Sequence, residues 1–369
     1  MSTPPSLPLA QRLDMVPAML SVLAAALYTA VQGPFRGPEG AATFDRHMQN
    51  GITRQLAGRM SIAQLQFIRG TTKATFEKWA KANPAVPTHT DVLGDGGAIH
   101  WLGSKDADKI ILHLHGGGYI LPLSVGHLAL MDGIRQRVSQ AAGATVAVAF
   151  VEYSLAPTKP YPTQVREAQA GLAHLLAQGV QPSRIILSGD SAGAHVVLCL
   201  ISHLLHPHPG LPAPPLLTSS FGGLLLISPR VSNSTAAASF SQNTNRDTLT
   251  RETFESWIAN FRANGPVATA EGLTQDGVYT EPVQASTSWW DGLSNTIAKE
   301  VFVSAGEHEC MRDDIVRFAE TWKGLPGMNV MLDVEERGIH DSPLMDASRA
   351  PSDLIRHIEA WLKVRVEAD

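Results

Sequence analysis

The chain reads as an α/β protein built on a mostly parallel sheet with helices on both faces. Two observations carry this reading. Short apolar runs rich in Val, Ile and Leu alternate with segments of helical length from about residue 108 onward. Those runs are apolar on both faces, as strands are when crossover helices cover a parallel sheet. The composition agrees, since 44% hydrophobic and 17% charged residues over 369 positions suffice for a large core.

Residues 1–86 read as an N-terminal helical cap, with apolar positions at helical spacing in MSIAQLQFIRG and TFEKWAKA. Within it, residues 13–35 are apolar over nearly the ~20 positions that a membrane span needs. Arg12 is the only positive side chain upstream, Asp14 follows it, and Pro17, Thr29 and Gln32 interrupt the run. A signal peptide has a basic start and a small-residue cleavage site instead. The expectation is an apolar helix that covers a pocket or packs on the core. Peripheral membrane association stays open for a protein otherwise expected in the cytoplasm.

Pro84 and Pro87 close that region, and residues 87–369 read as the core domain. THTDVL and AIHWLG flank Gly94-Asp95-Gly96-Gly97, a hairpin turn. DKIILHLH, ATVAVAFVEY, RIILSG, GGLLLIS, EVFVSAG and NVMLDVEE are the expected buried strands. Between them lie the helical segments GHLALMDGIRQRVSQA, YPTQVREAQAGLAHLLAQG, SAGAHVVLCLISHLL and RDDIVRFAETWKG, and SDLIRHIEAWLKVRV closes the chain. Residues 231–291 break the rhythm. They are rich in Ser, Thr and Asn, then helical around TRETFESWIANFRA, as expected of a cap insertion over the strand ends.

A net charge of -5 and the lack of a Lys/Arg-rich run argue against a nucleic-acid partner. Two cysteines far apart, Cys199 and Cys310, make no disulfide framework. His203, His206 and His208 lack a second ligand cluster and read as a surface helix end, so neither a metal nor a cofactor is expected.

The chemistry centres on two glycine-rich stretches. Gly189-Asp190-Ser191-Ala192-Gly193 fits G-x-S-x-G between an expected strand and an expected helix. Such a turn strains the serine backbone and presents its hydroxyl at a helix N-terminus, where the macrodipole favours developing negative charge. The second stretch is His115-Gly116-Gly117-Gly118. A phosphate loop would continue into Lys and Ser/Thr, which are absent here. An acyl-transfer site needs bare backbone N–H groups aimed at an oxyanion, so Gly117, Gly118 and Ala192 are the expected donors. His115 reads as a residue that orders this loop.

The serine needs a base, and the base a carboxylate. His340, in a loop after an expected strand, is the candidate base; Glu309 and Asp313 are both candidates for the acid, whereas Asp341 adjoins His340 too closely to reach its ring easily. Tyr119, beside the glycines, is a candidate pocket residue, as is Trp290; a packing role for Trp290 is an equal expectation. Cys199 reads as buried packing.

Taken together, His115–Gly118, Gly189–Gly193 and EYSLAPTKPYP resemble the hormone-sensitive-lipase branch of the α/β-hydrolases, in particular its fungal members. The resemblance implies an α/β-hydrolase fold with a helical cap. It places the acid at Glu309, where Glu309-Cys310-Met311-Arg312-Asp313-Asp314 stands for a motif that begins Asp-Pro, and the base at His340. The implied activity is a serine carboxylester hydrolase for small or medium acyl esters or lactones, using Ser191, His340 and Glu309 through an acyl-enzyme. An alternative keeps the fold for secondary metabolism, with release, lactonisation or cyclisation of a polyketide-type intermediate. A minor alternative is a non-catalytic small-molecule-binding protein.

Overall fold

The computed structural model describes residues 6–37, 40–94, 97–262, 275–347 and 349–367. Helices α1 (Leu9–Gln32), α2 (Phe44–Arg59), α3 (Ile62–Arg69) and α4 (Thr72–Ala82) come first. The α3 helix starts with a capping box, in which the Ser61 hydroxyl accepts from Gln64 N–H and the Gln64 side chain returns to Ser61 N–H. Eight strands follow among the described residues: β1 (Thr88–Val92), β2 (Ala98–Leu102), β3 (Lys109–Leu114), β4 (Val146–Glu152), β5 (Ile185–Asp190), β6 (Gly223–Ile227), β7 (Glu300–Gly306) and β8 (Asn329–Glu335). Asp95 and Gly96 of the expected hairpin turn lie outside the described residues, but its arms pair antiparallel with Val92 opposite Ala98.

The strands form one sheet in the order β1-β2-β4-β3-β5-β6-β7-β8. The pairs β1/β2 and β2/β4 are antiparallel and the rest parallel. The intervening helices are α5 (Val125–Ala142), α6 (Thr163–Ala177), α7 (Ser191–Leu205), α8 (Ala238–Asn243), α9 (Arg251–Phe261), α10 (Gln275–Thr280), α11 (Arg312–Lys323), α12 (Ser342–Met345) and α13 (Asp353–Glu367).

Alternation along each strand feeds two cores. Ile110, Leu112, Leu187, Leu224 and Leu226 face one side, packing with α6, α7 and α11 through Leu172, Val197, Ile315 and Phe318. Ile111, Ile186, Leu225 and Phe302 face the other, against α5 and α13 through Leu128, Ile134, Ile358 and Trp361. Both faces are apolar because both are covered, which is why the strands read as continuous apolar runs.

Register decides what meets at the carboxyl edge. Leu114 pairs with Gly189, so the loop after β3 and the turn after β5 leave the sheet side by side. Gly306 pairs with Glu335, which does the same for the loops after β7 and β8. Residues 231–262 and 275–291 stand between β6 and β7 and carry α8, α9 and α10; residues 263–274 of the expected insertion lie outside the described set.

Two expectations are qualified. The α1 helix is not wholly buried: one side packs, with Ala18 in the main core and Val22 and Thr29 buried, while Leu9, Leu13, Val16, Leu20, Leu23 and Leu27 are exposed. It packs on α2, where Arg59 donates to Asp14 at 2.6 and 3.0 Å, and it is long and apolar enough to cross a membrane. The histidine cluster is not a surface feature either. His203 is buried with Nε2 3.1 Å from Pro212 O, and His208 is buried beside Tyr279, because the chain after α7 folds back over it. No group of side chains suited to a metal occurs among the described residues.

Leu187 sits fully buried at the centre of the sheet. Leu187→Ala is expected to lose about 2–5 kcal/mol of stability, read as a lowered denaturation midpoint at unchanged slope.

Candidate active site

Strand β5 ends at Asp190 and α7 begins at Ser191 with no intervening residue. Ser191 has φ 50°, in the left-handed region that costs a non-glycine residue of order 1–3 kcal/mol and persists only where surroundings enforce it. The enforcement is steric. A Cβ on Gly189 would come 2.6 Å from Ala194 N, and one on Gly193 would lie 2.5 Å from His115 O. Only glycine lets α7 start this close to the end of β3.

Asp190 anchors the turn from beneath. Its buried carboxylate accepts from His113 Nε2 at 3.0 Å and His127 Nε2 at 3.1 Å. Burial works against its charge, but the two imidazoles overcome it and hold the carboxyl far below the usual range.

The loop after β3 runs alongside. Gly117 and Gly118 have φ 109° and 61°, which bare glycine tolerates. Among the described residues, the N–H groups of Gly117, Gly118 and Ala192 have no hydrogen-bond acceptor. His115 is buried, stacks on Tyr153 at 4.3 Å and places Nδ1 2.8 Å from Gly116 O. Tyr153 donates to the His115 carbonyl at 2.5 Å, bracing the loop from the far side.

The loops after β7 and β8 bring the remaining partners. His340 Nε2 lies 2.7 Å from Ser191 Oγ, and its Nδ1 lies 2.7 Å from Glu309 Oε1. The other oxygen of Glu309 accepts from Ser228 Oγ at 3.0 Å and Gly306 N–H at 2.9 Å. Glu309 is thus fully engaged and wholly buried. Asp313 does not approach His340: it accepts from Ser239 N–H at 2.8 Å and pairs with Arg312.

Asp341 departs from expectation. Its carboxylate oxygen Oδ2 lies 3.3 Å from His340 Nε2. The reason is its backbone, whose φ of 52° folds the side chain back toward the preceding ring. Its other oxygen, Oδ1, is buried without a partner among the described residues. Burial, with Asp190, Glu309 and Asp247 nearby, raises the Asp341 carboxyl well above the carboxylate range. For His340, burial disfavours the imidazolium, but Asp341, then Glu309 and Asp247, outweigh it and push the ring up to about 10. The pair therefore keeps one proton through neutral pH, and the form with that proton on Asp341 leaves His340 Nε2 free to accept.

A narrow cavity opens beside Ser191. Gly118, Tyr119, Ala192 and Arg230 line it from the core, and Leu249, Phe254, Trp257 and Ile258 from α9 and the chain just before it. Tyr119 stacks on Phe261 at 3.8 Å, and its hydroxyl accepts from Arg230 Nη2 at 2.7 Å. Trp290 is not in this wall. It is buried against Phe318 and Trp322 of α11 and packs in the core, contrary to the expected pocket position. Trp257 stands there instead, close enough to Gly118 that any side chain at 118 would strike its ring. Trp257, Arg230, Asp341 and Asp247 carry no motif; their place at the site comes from the fold of the insertion and from loop geometry.

Cys199 is buried beside His195, as expected of packing; burial raises its thiol to about 12.

A family model described as alpha/beta hydrolase fold matches residues 111–344. An esterase of Acinetobacter venetianus is 32% identical over 58% of this chain and 61% of its own length. A carboxylesterase of Mycobacterium tuberculosis is 28% identical over 64% of this chain and 67% of its own. The chain thus spans about three fifths of the length of the first of these relatives. A hormone-sensitive lipase from a metagenome library has the same fold, with a TM-score of 0.65 at 22% identity over 87% of this chain and 98% of its own.

The raised His340–Asp341 pair leads to a titration test. Loss of the carboxylate removes the charge that holds the proton, so in Asp341→Asn the His340 ring should deprotonate at lower pH than in wild type. NMR of the ring across pH 5–11 reads it directly; an unmoved or raised midpoint would contradict the pairing.

Proposed function

The chain belongs to this alpha/beta hydrolase family, and from that premise we propose that it is a serine carboxylester hydrolase of the hormone-sensitive-lipase-like branch. The observation that carries the proposal is the continuous contact from Ser191 Oγ through His340 to Glu309, at 2.7 Å on each side of the ring. Esterase relatives among the matches support it.

In this reading, Ser191 Oγ attacks the ester carbonyl as His340 Nε2 takes its proton. Glu309 fixes the ring with Nδ1–H toward the carboxylate and stabilises the imidazolium that forms. The carbonyl oxygen gains negative charge within reach of Gly117, Gly118 and Ala192 N–H, groups that carry no competing acceptor, at the positive end of α7. His340 then returns its proton to the leaving alcohol. Water, deprotonated by the same nitrogen, attacks the acyl-enzyme; the carboxylic acid leaves and Ser191 regains its proton.

Asp341 gives this cycle a particular pH dependence. Only the form with a neutral His340 can accept the Ser191 proton, and in the singly protonated pair that form is a fraction, so activity is expected to rise with pH as the pair loses its proton.

The pocket sets the substrate class. It is small and apolar, with Trp257 and Phe254 near the nucleophile, and it suits a short acyl group. Turnover of p-nitrophenyl esters should therefore be greatest for acetyl to butyryl and fall for longer chains. Ser191→Ala should reduce it by roughly 10⁴-fold or more. Trp257→Ala should move the optimum to longer chains. Wild-type protein that is folded yet inert toward the whole series, and unlabelled by a fluorophosphonate, would refute the reading.

The acid is tested by Glu309→Gln and Asp313→Asn side by side. The first is expected to lower kcat by roughly 10²–10⁴-fold, since it disturbs the tautomer of the base. The second should stay within about twofold, as expected away from the reacting groups. The reverse ranking would move the acid to Asp313.

A further inference from the structure

One buried carboxylate stands behind the site and touches none of the reacting atoms. Asp247 lies in the insertion just before α9 and is completely buried. Its Oδ2 accepts from Cys310 N–H at 2.7 Å, and its Oδ1 from His340 N–H at 3.0 Å and Thr248 N–H at 2.7 Å. Cys310 directly follows Glu309. A single side chain therefore binds the backbones of two loops, one carrying the acid and the other the base.

The same stretch reaches further. Asn243 Nδ2 donates to Glu307 O at 3.1 Å and Glu309 O at 2.9 Å, and its own carbonyl accepts from Asp247 N–H at 2.9 Å. On its outer side, Arg54 of α2 donates to the Asp247 carbonyl from Nε at 2.9 Å and Nη2 at 2.6 Å. Asn50, one turn earlier, donates to Arg246 O at 3.1 Å. A continuous set of hydrogen bonds thus runs from the N-terminal helices, through residues 243–248, to the loops holding Glu309 and His340.

Resting on the ester-hydrolase reading above, we propose that Asp247 is a positioning residue that sets the Glu309–His340–Ser191 alignment, and that Arg54 couples the N-terminal helices to that alignment. A carboxylate suits the task because both oxygens must accept. A neutral amide offers one acceptor and turns an NH₂ toward a backbone N–H. The two loop N–H groups require acceptors at 247, because buried donors without partners are costly.

The test uses the full chain and two readouts. One is the rate at which a fluorophosphonate labels Ser191, which reports nucleophile activation without an ester substrate. The other is kcat and KM on p-nitrophenyl acetate. Asp247→Asn is expected to slow labelling and lower kcat by about 100-fold, the scale of a ~1 Å misplacement of a reacting group, with KM within about threefold. Arg54→Met should lower both rates by about 10-fold with KM again little changed, a weaker echo of the same misplacement. Arg59→Met, which loosens α2 from α1 without touching Asp247, should stay near wild type. If Asp247→Asn does not fold, Arg54→Met decides: wild-type labelling and kcat overturn the proposal. Folded Asp247→Asn with wild-type rates overturns it as well, and equal losses in Arg54→Met and Arg59→Met overturn the coupling. Failure of the parent reading looks different, because wild type itself would then resist labelling.

Discussion

The structure depends on the close approach of α7 to the end of β3. Ser191 has φ 50° because a helix must begin at once where β5 stops, with the carbonyls of Leu114 and His115 pressed against Gly193. That contact is possible only without a side chain at 193. It brings the first turn of α7, the glycine loop and the nucleophile together, and the register of Leu114 with Gly189 keeps them so. Asp190, gripped by His113 and His127, stops the strained turn from relaxing.

Around the imidazole the structure concentrates negative charge in a way that only hydrogen bonding makes tolerable. Glu309, Asp247 and Asp190 are wholly buried and Asp341 nearly so. Each of the first three has its oxygens filled by donors: Glu309 by His340, Ser228 and Gly306, Asp247 by backbone N–H groups, and Asp190 by two histidines. Asp341 does not, and burial drives it furthest toward the neutral acid, while Asp247 is also raised by burial and by Glu309 beside it. Burial alone would hold His340 uncharged; the surrounding acids reverse that, and the proton is shared with the nearest of them.

The residues outside the sheet do two separate things. The α9 helix supplies Trp257, Phe254 and Ile258 to the cavity wall, whereas the preceding residues 243–248 face the acid and base loops. The N-terminal helices touch the second of these through Arg54 and Asn50. Pocket shape and loop alignment therefore rest on neighbouring stretches of one insertion.

Much of this was legible in the sequence. The apolar runs of β3 to β7 announced a covered sheet because burial on both faces removes polar alternation, and G-x-S-x-G between strand and helix marked Ser191 by the space the turn leaves. The glycines at 116–118 could be told from a phosphate loop by what does not follow them. Other features had no local signal. Nothing near Trp290 or Trp257 says which one reaches the cavity, since that depends on how the insertion crosses the strand ends. Asp341 reaches the ring only through a left-handed backbone, and Glu309 rather than Asp313 meets His340 because β7 and β8 leave the sheet in one register. Asp247, some sixty residues before one loop and ninety before the other, becomes their common acceptor only on folding. Periodicity and local sterics are written along the chain; which distant groups share a hydrogen bond is settled where the elements pack.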